Sequence, residues 1–141
     1  MPDWQLNSST EVIVDASAER LWAALTDPAD TERYFMRARV TVGDVGEAYR
    51  LARDDGWGVD GTVLAKEAPH RLRVSWGRRT PPGLDVPNCE IEYLIAPAAD
   101  APSRCRLTIN EYVDGPMPPS LAQAGRTGWA LMTRGLQAYL G

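Results

Sequence analysis

At 141 residues, 44% hydrophobic and 24% charged, the chain is long enough to bury a core as one ordinary domain and too apolar to be disordered. Its net charge of −4 and its scattered arginine pairs (Arg37/Arg39, Arg71/Arg73, Arg78/Arg79) argue against nucleic acid or an anionic membrane, which need clustered Lys and Arg. No stretch approaches the roughly 18 apolar residues of a membrane span, and the first residues lack the basic and apolar regions of a signal peptide, so the cytoplasm is the expected location.

Residues 4–14 alternate and end in Glu11-Val-Ile-Val14, which predicts a first strand. Ser17 suits an N-cap, with Glu19 well placed in the first helical turn. Leu21, Trp22 and Leu25 then share one helical face. Asp27-Pro28 breaks that helix and starts another. Asp27 is its cap, and Pro28 takes the first position, where a missing N–H costs nothing. Tyr34 and Phe35 form its apolar end.

From Ala38 the pattern switches to period two, punctuated by glycine, which predicts strands at 38–42, 46–53, 57–67, 70–77, 88–96 and 103–112. Leu72, Val74 and Trp76 share one face, opposite Arg71, Arg73 and Ser75. Cys89, Ile91, Tyr93 and Ile95 oppose Glu90 and Glu92, and Cys105, Leu107, Ile109 and Glu111 continue the inward set. Alternation this clean predicts an antiparallel sheet with one covered face, the arginines lying on solvated faces. If Ile95 and Ser103 flank the hairpin turn, Tyr93 faces Cys105, and Cys89 lies about four residues away in register. That is roughly 13 Å at strand rise, too far for a disulfide, so both cysteines read as buried thiols.

Two proline-rich loops, 78–87 and 114–119, could form the rim of a pocket. The last helix is predicted over 120–139, with Ser120 as its cap and Leu121, Gly125, Gly128, Trp129, Met132, Leu136 and Tyr139 at helical spacing. Gly125, Gly128 and Gly135 each weaken it by up to about 1 kcal/mol relative to Ala. Such residues let a helix approach a sheet closely, or leave space for a ligand. The expected fold is α+β: one domain, residues 1–141, in which a curved antiparallel sheet wraps a long terminal helix.

Several segments in this order resemble a known family. They are Ala18-Glu-Arg-Leu-Trp-Ala-Ala-Leu-Thr-Asp-Pro28, Gly61-Thr-Val-Leu64, Ala68-Pro69, Arg71-Leu-Arg-Val-Ser-Trp76, Ile91-Glu-Tyr-Leu-Ile95, Leu107-Thr-Ile109, Gly128-Trp129 and Leu136-Gln-Ala-Tyr-Leu140. The chain is similar to the Bet v 1/START-like (SRPBCC) superfamily, in the branch named after the C-terminal domain of the activator of Hsp90 ATPase. The resemblance implies a helix-grip fold: seven antiparallel strands curled around the C-terminal helix, with two short helices between strands 1 and 2. It implies a cavity between helix and sheet for lipids, polyketides or other hydrophobic molecules, and in some members cyclisation or aromatisation of a polyketide. A fold hosts many functions, and no Hsp90-contact motif transfers, so a co-chaperone or interaction module ranks below small-molecule binding.

The residues themselves offer aromatic lining more than chemistry. Tyr49, Trp57, Trp76, Tyr93 and Trp129 fall on inward faces, joined by Ile109, Met132 and Leu136, and form the expected ligand-binding set. His70, the single histidine, falls at a turn, and no Cys/His spacing resembles a metal site. No glycine-rich loop precedes a helix, so neither metal nor cofactor is expected. Glu111 is the one candidate catalytic residue: on a covered face it could transfer protons, while at a strand end it would sit wet on the rim. The first reading is therefore a protein that binds a hydrophobic small molecule without catalysis. The alternative is a cyclase or aromatase using Glu111 and a cavity tyrosine. The first strand or the last helix could also pair with a second copy in a homodimer.

Overall fold

The computed structural model describes residues 4–78 and 87–141. Strand β1 (Gln5–Val14) leads into helices α1 (Ala18–Thr26) and α2 (Pro28–Tyr34). Strands β2 (Arg39–Val42), β3 (Ala48–Ala52), β4 (Gly58–Glu67), β5 (Arg71–Ser75) and the two-residue β6 (Gly77–Arg78) follow. The long hairpin of β7 (Cys89–Ala98) and β8 (Ala101–Val113) then leads to α3 (Pro119–Leu140). Seven strands form one antiparallel sheet in the order β1-β8-β7-β5-β4-β3-β2, with β6 beside β4. This is the helix-grip architecture.

The predicted caps at the start of α1 and α2 are present. Ser17 accepts from the backbone N–H of Arg20 at 3.1 Å, and Asp27 from that of Ala29 at 2.9 Å. Ser120 does not cap α3. The helix begins at Pro119 behind Pro118, which offers no side-chain acceptor. Pro119 takes the first helical position, where its fixed φ suits the helix and its missing N–H costs nothing, and the Leu121 N–H donates to the Pro118 carbonyl at 3.0 Å.

The β7–β8 hairpin corrects the expected register. Tyr93 pairs with Ile109, and Cys105 pairs with Pro97 rather than Tyr93. Both strands run further than their polar ends suggested, to a tight turn between Ala98 and Ala101. The shift moves Cys105 further still from Cys89, and both are buried free thiols. On the outer face, the arginines expected to be simply solvated are paired: Arg71 Nε meets Glu92 at 2.9 Å and Arg73 Nε meets Glu90 at 2.7 Å. Arg73 also lies 4.4 Å from the centre of the Tyr112 ring. Arg79 lies outside the described residues.

The sheet bends at β4. Its first half pairs with β3 and β6, its second half with β5, and the register to β5 shifts between Val63 and Ala65. Glycine is required there by crowding: a Cβ on Gly61 would lie 1.9 Å from the Ser75 carbonyl oxygen, and one on Gly77 2.1 Å from that of Asp60. The bend lets the concave face enclose Leu51, Val63, Leu72, Ile91 and Leu107 against Trp129, Met132 and Leu136 of α3. Burying each such side chain contributes about 1.5–3 kcal/mol. At the corner before β2, Met36 and Arg37 take left-handed φ of 53° and 62°. That uncommon conformation turns the chain where buried Phe35 meets the edge of Trp129, ring centres 6.0 Å apart.

The far end of α3 is tied down. Gln137 donates to the Ile13 carbonyl at 3.0 Å, and the Asp15 N–H to the Gly141 carbonyl at 3.1 Å. Asp30 of α2 accepts from both guanidinium nitrogens of Arg20 at 3.0 Å and from the Tyr139 hydroxyl at 2.5 Å, linking three helices. The Arg20 hydrogen bonds hold the Asp30 carboxyl below its ordinary range despite the opposing effect of burial.

Three consequences are measurable in urea. Gly61→Ala should destabilise the fold by at least about 2 kcal/mol, because backbone must move. Gly128→Ala, with nothing within 4 Å of the added carbon, should instead stabilise by up to about 1 kcal/mol through helix propensity. Asp30→Asn should cost about 1 kcal/mol at pH 7. The native carboxyl titrates lower than the unfolded one, so this stability is present above the ordinary carboxylate range. The difference between wild type and variant should vanish as pH falls through the lowered native value.

Candidate functional site

The space between the second half of α3 and the sheet is occupied by a ladder of rings. Tyr49 on β3 lies 6.0 Å from Trp76, between β5 and β6, and Trp76 lies 5.4 Å from Trp129 of α3. Trp129 meets Tyr93 of β7 edge-on at 6.1 Å. Tilted and edge-to-face pairs at these separations each add about 0.5–1.5 kcal/mol beyond area burial. Ile109, Met132 and Leu136 are buried in the same cluster. Alternation along the strands and helical spacing in α3 bring these seven residues together, as their positions in the sequence imply.

Trp57 stands apart from this ladder. It precedes β4 at the β3–β4 turn, half-buried, with the Arg53 guanidinium 5.2 Å from its ring centre. The Tyr49 and Tyr93 hydroxyls share a hydrogen bond of 3.4 Å. Burial raises both phenols above their ordinary range, so they remain protonated donors across neutral pH. Tyr112 is different, directed to the outer face, where its hydroxyl donates to Glu92 at 3.2 Å.

A half-open cleft of about 450 Å³ lies at the end of the sheet. Its apolar walls are Trp4, Trp76, Pro87 and Met117; Asp60, Ser75, Asn88 and Glu90 supply polar groups, and Cys89 lies among them. No residue of α3 is in this wall, so the cleft lies beside the space at Trp129 and Met132 where a ligand was expected. Trp76 belongs to both, lining the cleft and joining the interior ladder. Pro87 and Met117 come from the two proline-rich loops, and 79–86 lie outside the described residues. Asn88 holds the loops together: its N–H and side-chain amide each donate to Asp114 at 2.8 Å.

Glu111 is not on a wet rim. The strand continues through Val113, and the Glu111 side chain is 1% exposed. Its Oε2 accepts from Asn7 Nδ2 at 2.9 Å and lies 3.4 Å from Ser8 Oγ, while Oε1 lies 3.5 Å from Cys89 Sγ. Asn7 reaches it because the β1–β8 register shifts between Leu6 and Ser8. Trp4, Asn7, Asn88 and Met117 are cleft or carboxylate partners that sequence reasoning did not single out. Loop packing and a register shift place them, and neither leaves a periodic trace.

The family model described as Activator of Hsp90 ATPase homolog 1-like protein matches residues 15–141. No curated protein matches the chain. Among solved structures, the protein MLL2253 from Mesorhizobium loti is 22% identical over 94% of this chain and 96% of its own, with a TM-score of 0.76. DynU16, a protein in the dynemicin biosynthetic locus, is 26% identical with a TM-score of 0.78; the match covers 98% of this chain but 47% of DynU16, about half its length. The Aha1 dimer from Colwellia psychrerythraea shares 16% identity over 94% of this chain and 93% of its own, at a TM-score of 0.74. Because the family model matches residues 15–141, from just after β1 onward, the chain belongs to the Activator of Hsp90 ATPase homolog 1-like protein family.

Proposed function

We propose that this chain binds a hydrophobic small molecule, lipid-, polyketide- or aromatic-like, in the cleft beside Trp76. The observation that carries the reading is the cleft itself, about 450 Å³ between Trp4, Trp76 and Met117. Ligand pockets run from about 300 to 1,000 Å³ and combine apolar walls with a few polar groups. Tyr49, Tyr93, Ile109, Trp129, Met132 and Leu136 stand behind Trp76 as the wall a deeper ligand would meet. The place of DynU16 in a biosynthetic locus supports a small-molecule ligand rather than a macromolecular one.

One observation favours a second reading, proton transfer in a cyclase-type reaction: Glu111 is buried at the contact with Cys89, beside the cleft. In that reading Tyr49 and Tyr93 act as donors, since both phenols stay protonated. Turnover of a bound ligand by wild type, and its absence in Glu111→Gln, is the result that reading requires.

A naphthalene-sulfonate dye should bind the native protein and be displaced by apolar compounds that raise the melting temperature. A ligand at 100 times its Kd adds about 2.7 kcal/mol, a shift of several degrees. Trp4→Ala, which removes a half-buried wall residue upstream of β1, should weaken binding about tenfold. Trp57→Ala, outside the wall, should leave affinity unchanged. Loss of binding in Trp57→Ala but not in Trp4→Ala would place the ligand elsewhere.

A further inference from the structure

Glu111 occupies an unusual position for a carboxylate. It points to the concave face of β8, shares that face with Leu107 and Ile109, and is almost fully removed from water. Carboxylates are rarely buried unless their oxygens are satisfied. Part of that satisfaction comes from a local irregularity: the register shift between Leu6 and Ser8 brings the Asn7 amide to Oε2 at 2.9 Å, with Ser8 Oγ 3.4 Å from the same oxygen. Bulges recur beside functional sites because they re-aim a side chain. The other oxygen, Oε1, is directed toward Cys89, whose thiol lies 3.5 Å away, and Cys89 is in the wall of the cleft.

We propose that Glu111 orients the ligand in the cleft by accepting a hydrogen bond from it at Oε1. The ligand this selects is an apolar, ring-sized molecule carrying a hydroxyl or comparable donor. Asn7 and Ser8 are positioning residues, holding Oε2 and so setting the plane in which Oε1 is presented. The Cys89 thiol, a weak donor on a single rotatable bond, swings aside as a stronger donor takes its place. An apolar ligand with no donor forfeits that hydrogen bond, and a site built around a polar partner discriminates strongly against analogues that lack it. This inference rests on the binding reading above and adds to it the chemical class of the ligand.

The test is isothermal titration with two probes of the same ring system, 2-naphthol and 2-methoxynaphthalene, which differ in the donor. Wild type should bind 2-naphthol about tenfold more tightly, roughly the worth of one hydrogen bond. Glu111→Gln, which keeps the side-chain shape, should reduce that preference to less than about threefold. Cys89→Val, which puts branched bulk between cleft and carboxylate, should remove the preference with Glu111 in place, and it decides the matter if Glu111→Gln does not fold. Equal affinity of wild type for the two probes, or a preference unchanged in both variants, overturns the role of Glu111 while apolar binding stands. Failure of both probes to bind folded wild type overturns this inference, and failure of the dye as well removes the binding reading beneath it.

Discussion

Trp129 meets Phe35, Trp76 and Tyr93 at centroid separations of 5.4 to 6.1 Å, and those contacts hold the long helix against the sheet. The contact with Trp76 follows from the bend of the sheet. At β4 the chain leaves one set of partners for another, and the missing side chains of Gly61 and Gly77 let the Ser75 and Asp60 carbonyls pass within about 2 Å of where a Cβ would lie. Flatten that corner and Tyr49 and Trp76 part from Trp129. Close-packed interiors tolerate no such gap without loss of dispersion contacts. The glycine corner is therefore upstream of the aromatic interior and of the cleft that Trp76 lines.

The two ends of the helix are held differently. Its last turns are fastened by Gln137, by Asp30 with Tyr139, and by the chain terminus at Asp15. Its first turns lack a side-chain cap, and the helix contributes no buried residue before Trp129. The Met117 segment leading into these turns is the one that borders the cleft. The side-chain anchors are concentrated at one end of the grip, and the proposed binding cleft borders the segment leading into the other. Sites that must admit a ligand are commonly drawn from the less stable part of a fold.

Much of the architecture was legible because it is written in period. Alternation from Leu72 to Trp76, from Cys89 to Ile95 and from Cys105 to Glu111 named the concave face correctly, and Ser17 and Asp27-Pro28 announced the two short helices. The hairpin register was not legible. Polar and small residues at 96–103 look like a loop, yet they pair to within two residues of a tight turn, since strand pairing needs backbone groups and not apolar side chains. The aromatic ladder could be read as a set, but not as packed rings rather than a lined space, because both ask for the same residues. Trp4 and Asn7 left no signal, and Met117 only that of its proline-rich loop. Their roles come from a shifted register and from two loops brought together by Asn88 and Asp114.

If an apolar ligand sits against Trp4 and Trp76, the five tryptophans report on it directly. The measurement is a two-dimensional NMR titration of the indole N–H resonances with 2-naphthol. Saturable shifts are expected at Trp4 and Trp76, with a smaller one at Trp129 through its contact with Trp76 and none at Trp22 or Trp57. Shifts confined to Trp22 or Trp57, or no shift at any indole up to the solubility limit of the probe, would contradict that placement.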